Sequence, residues 1–138
     1  MLIKVREAHP VVLNYMMAKI KGCIWRKLDD CWMVPREGTV GYKKLMGLSY
    51  TAENTPESNQ LRYAMFQHNI SIDIVWHGET CVVHGRATVE GRTVAGIGDN
   101  LGTCIARLFI LLYTYYQEFE MEVPDAWLRL HYPTIFEK

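Results

Sequence analysis

The segment 96–107 holds the residues of this chain that are best suited to bind a charged ligand. Gly98 and Gly102 have no side chain, so a ligand can approach the backbone there. Asp99 and Asn100 are residue types that often cap the start of a helix. A helix that begins here offers unpaired N–H groups and the positive end of its dipole, which attract phosphate or carboxylate. The alternative is that a strand-to-helix connection needs glycine and a capping residue for its own geometry.

Arg107 lies two turns into the helix that follows, inside an almost unbroken apolar run from Cys104 to Tyr116. A buried guanidinium has to pair with a carboxylate, with backbone carbonyls or with a ligand anion. Two roles follow for it, a contact to a bound phosphate or a structural ion pair with Asp73 or Glu53. The segment is not a Walker loop, because the Lys-Ser/Thr ending is absent.

Aromatic side chains are the second feature that suits a nucleotide-like ligand. Tyr50, Trp25, Trp32 and Trp76 offer flat faces on which a base can stack, at about 1–3 kcal/mol for each base. The alternative is that tryptophans in strands fill the core, and we expect this for two or three of these four side chains.

No pattern in the chain indicates catalysis or a metal site. The five histidines form no H-x-x-x-H or H-x-E pattern, and no cysteine or carboxylate stands at ligand spacing. A G-x-S-x-G motif is absent, and none of the four cysteines has a histidine at a diagnostic spacing. His77 and His84 lie on the two arms of one predicted hairpin, which keeps a small hydrolase as a third hypothesis. We predict no catalytic residues, no metal and no cofactor.

A long buried helix must position these candidate residues. Apolar residues recur at helical spacing after Asn100 and form one stripe, which comprises Leu101, Ile105, Leu108, Leu112 and Tyr115. A helix that is apolar nearly all round is buried, usually against a sheet on one side. The apolar run is shorter than the ~20 residues that cross a bilayer and contains Arg107, so we do not expect it to span a membrane.

The sequence before this helix predicts an antiparallel meander. Residues 70–77 and 80–89 read as strands around a tight turn at Gly78-Glu79, and Glu90-Gly91 turns the chain into a third strand over 93–97. Other predicted elements are a short edge strand within 1–7, a helix from Pro10 to about Gly22, an extended pair within 23–34, an irregular segment 39–55, a helix from Thr55 to about His68 and a helical turn over 126–130.

These elements predict an α+β fold. A three-stranded antiparallel meander plus additional strands packs with two to three helices, as an α-β-α sandwich-like single domain over residues 1–138. The length of 138 residues suits one domain, and 49% apolar residues supply a core.

The charge balance narrows the classes of partner. Fifteen basic and fifteen acidic residues cancel, which argues against binding to duplex nucleic acid or to an anionic membrane. Four cysteines without a C-x-x-C pair, and no signal peptide at the start of the chain, indicate reduced thiols in a cytoplasm. The alternative is a disulfide between Cys23 and Cys31 across a hairpin. A near-neutral chain rich in Tyr and Trp favours self-association, so we expect a homo-oligomer.

Several short motifs resemble the NinX-like phage accessory proteins. Residues 13–22 are similar to the opening helix of that family, and Tyr50-Thr51 is similar to its "Y-S-T-D" loop. Residues 99–112 resemble its "TPLIAAMR-CYV" helix, although Asn100-Leu101 stands where the family has threonine-proline, and residues 122–125 match its "EVPD" ending. The resemblance spans about residues 10–128.

The resemblance implies a phage or prophage protein with a helix–sheet–helix sandwich that acts in the cytoplasm of the infected host cell. It carries over no enzymatic chemistry. Small phage proteins of this broad class often counter host defences, including by sequestering nucleotide immune signals.

We therefore expect an anti-defence protein that binds a small anionic nucleotide-derived signal without cleaving it. The alternative is a protein–protein inhibitor of a host defence enzyme, and the third hypothesis is a small hydrolase of the signal. The expected ligand-binding residues are Tyr50, Thr51, Trp76, Arg86, Gly98, Asp99, Asn100, Thr103 and Arg107.

Overall fold

The computed structural model describes residues 1–52, 54–114 and 117–137. Within these ranges the strands are β1 (Leu2–Lys4), β2 (Ile24–Arg26), β3 (Cys31–Pro35), β4 (Tyr42–Leu45), β5 (Asn69–His77), β6 (Thr80–Val89), β7 (Arg92–Gly98) and β8 (Glu120–Glu122). The α-helices are α1 (Pro10–Ile20), α2 (Pro56–Phe66), α3 (Leu101–Thr114) and α4 (Asp125–His131). Short 3-10 helices cover Val5–Glu7 and Pro133–Phe136.

The strands form three separate antiparallel sheets. The main sheet has the order β5-β6-β7, a second sheet has the order β2-β3-β4, and β1 pairs with β8. Left-handed backbone at Gly78 begins the first turn of the main sheet, and Glu90 and Gly91 are both left-handed in the second, as a type I′ turn requires. The predicted three-stranded meander is therefore present with the predicted turns.

Helix α3 packs against the inner face of the main sheet. Glycines on the strands allow this close approach, since a methyl group at Gly85 would lie 2.5 Å from Cδ1 of Leu108 and 2.7 Å from Sγ of Cys104. Helices α1 and α2 contact α3 as well, so α3 lies between the sheet and the other helices. The predicted buried helix is confirmed, and the Tyr115 assigned to its stripe lies outside the described residues.

The outer face of the main sheet, which points away from α3, is open. Its exposed side chains come from all three strands and include Ser71, Asp73, Val75, His77, His84, Arg86, Ala95 and Ile97. We call this surface the open face.

The α+β class is confirmed, and the differences lie in the short strands. Strand β4 falls within the segment expected to be irregular, because Tyr42-Lys43-Lys44-Leu45 carries no period-2 alternation. Strand β8 is three residues long and exists through its pairing with β1, a contact between the two ends of the chain. No helix among the described residues has the length and apolarity needed to cross a bilayer.

Candidate functional site

The amino end of α3 is closed by the chain itself. The side chain of Asn100 caps the helix and accepts a hydrogen bond from the N–H of Thr103 at 2.8 Å. A methyl group at Gly102 would lie 2.3 Å from the carbonyl oxygen of Thr51. The predicted capping role of Asn100 is thus present, but the space at Gly102 is occupied by backbone rather than left open to a ligand.

Gly98 and Asp99 follow the same pattern. A methyl group at Gly98 would lie 2.6 Å from the backbone nitrogen of Cys104, so the missing side chain lets strand and helix meet. Asp99 is exposed, and its carbonyl oxygen lies 3.9 Å from Sγ of Cys81. Asp99 lines a cavity of about 490 Å³ together with Thr80, Cys81 and Val82 of β6.

The guanidinium of Arg107 donates hydrogen bonds to backbone carbonyls. Its Nε donates to the carbonyl of Val5 at 3.1 Å, and its two terminal nitrogens donate to the carbonyls of Ala8 and Ile97. Burial lowers the pKa of the guanidinium from its ordinary value, and the three carbonyl dipoles compensate the buried charge.

The structural ion pair considered for Arg107 is not formed with Asp73. Asp73 lies on the open face, on the other side of the sheet from α3. The other predicted partner, Glu53, lies outside the described residues. Arg107 therefore ties the first turn of the chain to β7, and three of its five N–H donors point to backbone carbonyls rather than to an anion at the helix end.

Thr103 has an unusual environment. Its hydroxyl oxygen is buried and finds no hydrogen-bond partner among the described residues. A buried hydroxyl without a partner destabilises a fold by roughly 1–3 kcal/mol. Thr103 is therefore an exception to the rule that buried polar groups are hydrogen-bonded.

Tyr50 and Thr51 are positioned by Asn14 of α1. The side-chain oxygen of Asn14 accepts from the N–H of Tyr50 at 2.7 Å, from the N–H of Thr51 at 3.2 Å and from the Thr51 hydroxyl at 3.3 Å. Asn14 was not among the predicted site residues. A signal for it existed, because an asparagine inside an apolar helix needs a partner.

Tyr50 lines a cleft between α2 and the second sheet. The cavity measures about 330 Å³ and carries two cations, Lys21 and Arg36, beside the carboxylates of Glu37 and Glu57. Burial raises the pKa of the Tyr50 phenol above its ordinary value, so it stays neutral as a donor. This volume is at the lower end of small-molecule sites.

Trp76 and Arg86 do not share a site. Register pairs Arg86 with Ser71 and Trp76 with Cys81, which places the two predicted residues on opposite faces of the main sheet. Trp76 lies on the inner face near the tip of the β5–β6 hairpin, beyond the cover of α3, and is 67% exposed.

Arg86 instead lies in a groove on the open face. Residues align across the strands in rows, Ser71 with Arg86 and Ala95, Asp73 with His84 and Ile97, and Val75 with Val82. The groove measures about 470 Å³. Arg86 forms no ion pair with any residue that the structure describes, so it is available to a carboxylate.

A histidine–carboxylate contact occurs elsewhere, between α4 and the β2–β3 turn. Nε2 of His131 lies 2.8 Å from Oδ1 of Asp30, which also accepts from Nε1 of Trp25 at 2.8 Å. Partial burial alone would raise the pKa of Asp30, but these hydrogen bonds outweigh it and hold the pKa below its ordinary value. The contact joins distant parts of the chain, and the residues that line its cavity include Tyr15 but no serine, threonine or cysteine.

The cysteines and histidines assemble no metal site. Among residues 1–52, 54–114 and 117–137, no three His, Cys, Asp or Glu side chains come together at ligand distance. All four cysteines are free thiols, so the disulfide considered between Cys23 and Cys31 is not formed.

The structure therefore divides the predicted site. Tyr50, Thr51, Asn100, Thr103 and Arg107 serve packing around α1 and α3, whereas Arg86 belongs to the open face and Trp76 to the hairpin tip. No protein-family model matches the chain, and neither does any curated protein or solved structure. The resemblance to NinX-like proteins accordingly stays a prediction that rests on its short motifs.

Proposed function

We propose that the chain is a non-enzymatic protein-binding module that docks a partner protein on the open face. The single observation that carries this proposal is the uncovered outer face of the main sheet, with its groove around Arg86. At the amino end of α3 the Thr51 carbonyl fills the space beside Gly102, and the Asn100 side chain accepts from the N–H of Thr103.

The residues of the open face define the chemistry of the partner. Arg86 suits a carboxylate, and arginine is enriched in the interfaces that proteins form. Val75 and Ile97, 40% and 50% exposed, suit an apolar side chain. A fitting partner presents an acidic residue next to an apolar one, on a rigid surface that lies flat on the strands.

The resemblance to phage accessory proteins supplies a biological setting for this proposal. In that setting the partner is a host protein in the cytoplasm of the infected cell, and docking blocks a defence enzyme. This is the protein–protein inhibitor considered from the sequence.

Quantitative affinity capture with surface variants tests the proposal. Purified chain, Arg86→Glu and Ile97→Asp are compared with Lys27→Glu, a charge reversal on an exposed turn away from the sheet. We expect one host protein to be recovered by the unaltered chain and by Lys27→Glu and to be lost with both face variants. The purified pair should then bind with a Kd that rises at least about tenfold, or 1.4 kcal/mol, in each face variant.

Equal recovery by all variants would place the partner on another surface and contradict the proposal. Circular dichroism and thermal melts test whether each variant is folded. We expect both variants to fold, because the substituted side chains are exposed on the sheet.

The second candidate is sequestration of a small anionic nucleotide-derived signal, in the cleft beside Tyr50. The specific observation that favours it is the pair of cations, Lys21 and Arg36, at a cavity of about 330 Å³. The Nζ atom of Lys21 also lies 4.7 Å from the centre of the Phe109 ring. In this version the ligand contacts lie about the second sheet rather than at α3.

Incubation with cyclic nucleotides and cyclic ADP-ribose isomers, followed by heat release and chromatography, tests the second candidate. Recovery of intact ligand that is lost with Arg36→Glu supports it. Release of a cleaved product would point to the hydrolase hypothesis, and no binding of any of these compounds would count against the cleft as a nucleotide site.

A further inference from the structure

Strand β5 has a free edge along its whole length. It is the outer strand of the main sheet, and no strand among the described residues pairs with its second edge. A strand edge with unpaired N–H and C=O groups is a template for another strand. At nine residues, β5 is long for an unprotected edge.

The hairpin geometry identifies which backbone groups point to that edge. The turn at Gly78-Glu79 closes on His77 and Thr80, and the hydrogen bond of a β-turn makes them a bonded pair. Bonded and non-bonded pairs alternate along an antiparallel ladder. The N–H and C=O groups of Ile74 and Trp76 are therefore directed to the free edge, and those of Val75 to β6.

The side chains at the same positions are apolar and uncovered. Ile74 and Trp76 are on the inner face, where the strand is otherwise covered by α3, yet they are 56% and 67% exposed because the hairpin extends past the helix. Earlier on the same face, Ile70 and Ile72 are partly buried against the core. The exposed apolar surface of β5 is thus confined to its distal half.

The opposite edge of the main sheet differs. On β7 the side chain of Gln117 accepts from the N–H of Ala95 at 2.9 Å and donates to its C=O at 2.8 Å. An amide side chain thereby takes the hydrogen bonds that a neighbouring strand would make. The two edges are not equivalent, and β5 is the one that remains available.

We propose that β5 pairs antiparallel with β5 of a second copy of this chain, about a two-fold axis at Val75. The register then sets Val75 opposite Val75, Asp73 opposite His77, and Ile74 opposite Trp76. Directly opposite residues in an antiparallel pair point to the same face, as these do. The result is a continuous six-stranded sheet.

Charge selects this register over its neighbours. An axis at Asp73 would set two carboxylates opposite each other, and an axis at Ile74 would leave Asp73 opposite Val75. Like charges directly opposite destabilise a strand pair, whereas a ring N–H of histidine can donate a hydrogen bond to a carboxylate opposite it. With the axis at Val75, two Asp73–His77 pairs lie on the open face, and two Ile74–Trp76 pairs cover each other on the inner face.

The interface is small, which determines how the dimer behaves. The register overlaps residues 73–77 of each copy, a length of about 17 Å, and its area falls below the about 800 Å² per partner of a standard interface. The dimer therefore dissociates on dilution. Pairing at the edge leaves the open face accessible and brings two copies of it side by side, with His77 of each copy next to Asp73 of the other.

Sedimentation at a series of concentrations tests the proposal through charge exchange. Asp73→Lys removes the carboxylate that faces His77, and His77→Asp sets carboxylates opposite each other. Each single variant should raise the dimer Kd about tenfold. The double variant Asp73→Lys/His77→Asp sets a lysine opposite an aspartate in both pairs and should restore the dimer, which no register other than the one proposed explains.

Trp76→Ser should also weaken the dimer, whereas Tyr63→Ala, which removes an equally exposed aromatic ring from α2, should leave the dimer unchanged. In a Cys81→Ser background, Val75→Cys should form an intermolecular disulfide on mild oxidation, because the Cα atoms of a non-bonded pair lie about 4.5 Å apart. Val82→Cys on the central strand is the control and should not cross-link.

A chain that remains monomeric at concentrations up to about 0.5 mM would overturn the proposal. So would a dimer whose Kd is unchanged by all three β5 substitutions. Failure of the protein-capture experiment leaves this result untouched, because its variants Arg86→Glu and Ile97→Asp lie on β6 and β7.

Discussion

Single residues in this chain show two kinds of buried or partly buried polar group, paired and unpaired. Asn14 satisfies two backbone N–H groups and a hydroxyl with one oxygen, and Arg107 satisfies three carbonyls. Thr103 buries a hydroxyl that has no partner within the part of the chain that the structure describes. The first kind specifies the fold, whereas the second reduces its stability.

Thr103→Val should therefore stabilise the chain. Valine keeps the shape of threonine and removes the unpaired hydroxyl, so we expect the free energy of unfolding to rise by about 1 kcal/mol in chemical denaturation. Thr51→Val is the matched control, because it removes a hydroxyl that donates to Asn14 at 3.3 Å, and should lower stability instead. A decrease with Thr103→Val would show that the hydroxyl has a partner in solution.

Cysteine reactivity should separate one thiol from the other three. Burial raises the pKa of Cys104 to about 11 and also raises the pKa of Cys23 and Cys31, while Cys81 is partly exposed. The thiolate is the reactive form, so a thiol reagent should modify Cys81 rapidly in the native chain. Cys81→Ser should abolish this fast phase, and a fast phase that persists would contradict the burial of the others.

At the scale of elements, close backbone contacts decide where α3 lies. Gly102→Ala tests this, because alanine favours a helix over glycine by up to about 1 kcal/mol, yet its methyl group would lie 2.3 Å from the Thr51 carbonyl. We expect the clash to prevail and to lower the free energy of unfolding by about 1–3 kcal/mol. Gly47→Ala, where a methyl group meets nothing within 4 Å, should have little effect on the same denaturation curve.

The elements with a strong sequence period were predictable. The alternation over 70–77, the glycine turns and the apolar stripe of α3 identify the main sheet and the helix that it covers. Strands β4 and β8 were not predicted, because each depends on a distant partner strand rather than on its own pattern. Local periodicity carries no information about such pairings.

The residues predicted to form one site lie in different parts of the fold, and the sequence alone did not indicate this. The glycines and the asparagine before α3 are equally suited to a ligand and to tight packing, and the sequence contains nothing that says what occupies the space beside Gly102. Only the fold brings Thr51 there. For the same reason Trp76 and Arg86 could be identified as exposed strand residues, but their separation onto two faces needed the register.

At the scale of the whole molecule, one contact links the end of the chain to the second sheet. Asp30 accepts from His131 across 101 positions of sequence. Hydrogen bonds hold the pKa of Asp30 below its ordinary value despite partial burial, which acts in the opposite direction. This contribution to stability is present above the pKa of the unfolded chain, about 3.9, and is lost as the pH falls through the lower folded value.

Asp30→Asn should reveal that contribution. Asn tolerates the left-handed backbone of residue 30 (φ 47°), so the turn is kept while the charge is removed. Unfolding curves should show the unaltered chain as more stable than the variant near pH 6. The difference should shrink below about pH 3.9. A difference that stays constant over this range would assign the effect to the turn and not to ionisation.

The hydrogen bonds of Gln117 to Ala95 have a consequence for assembly. A sheet that could recruit strands on both sides would add copies without limit and grow into fibrils. Because the side-chain amide of Gln117 occupies the β7 edge, copies can pair only through β5, and assembly stops at a dimer. Gln117→Ala frees the β7 edge for pairing. We expect this variant to show concentration-dependent light scattering and a thioflavin signal, whereas solutions of the unaltered chain should remain clear.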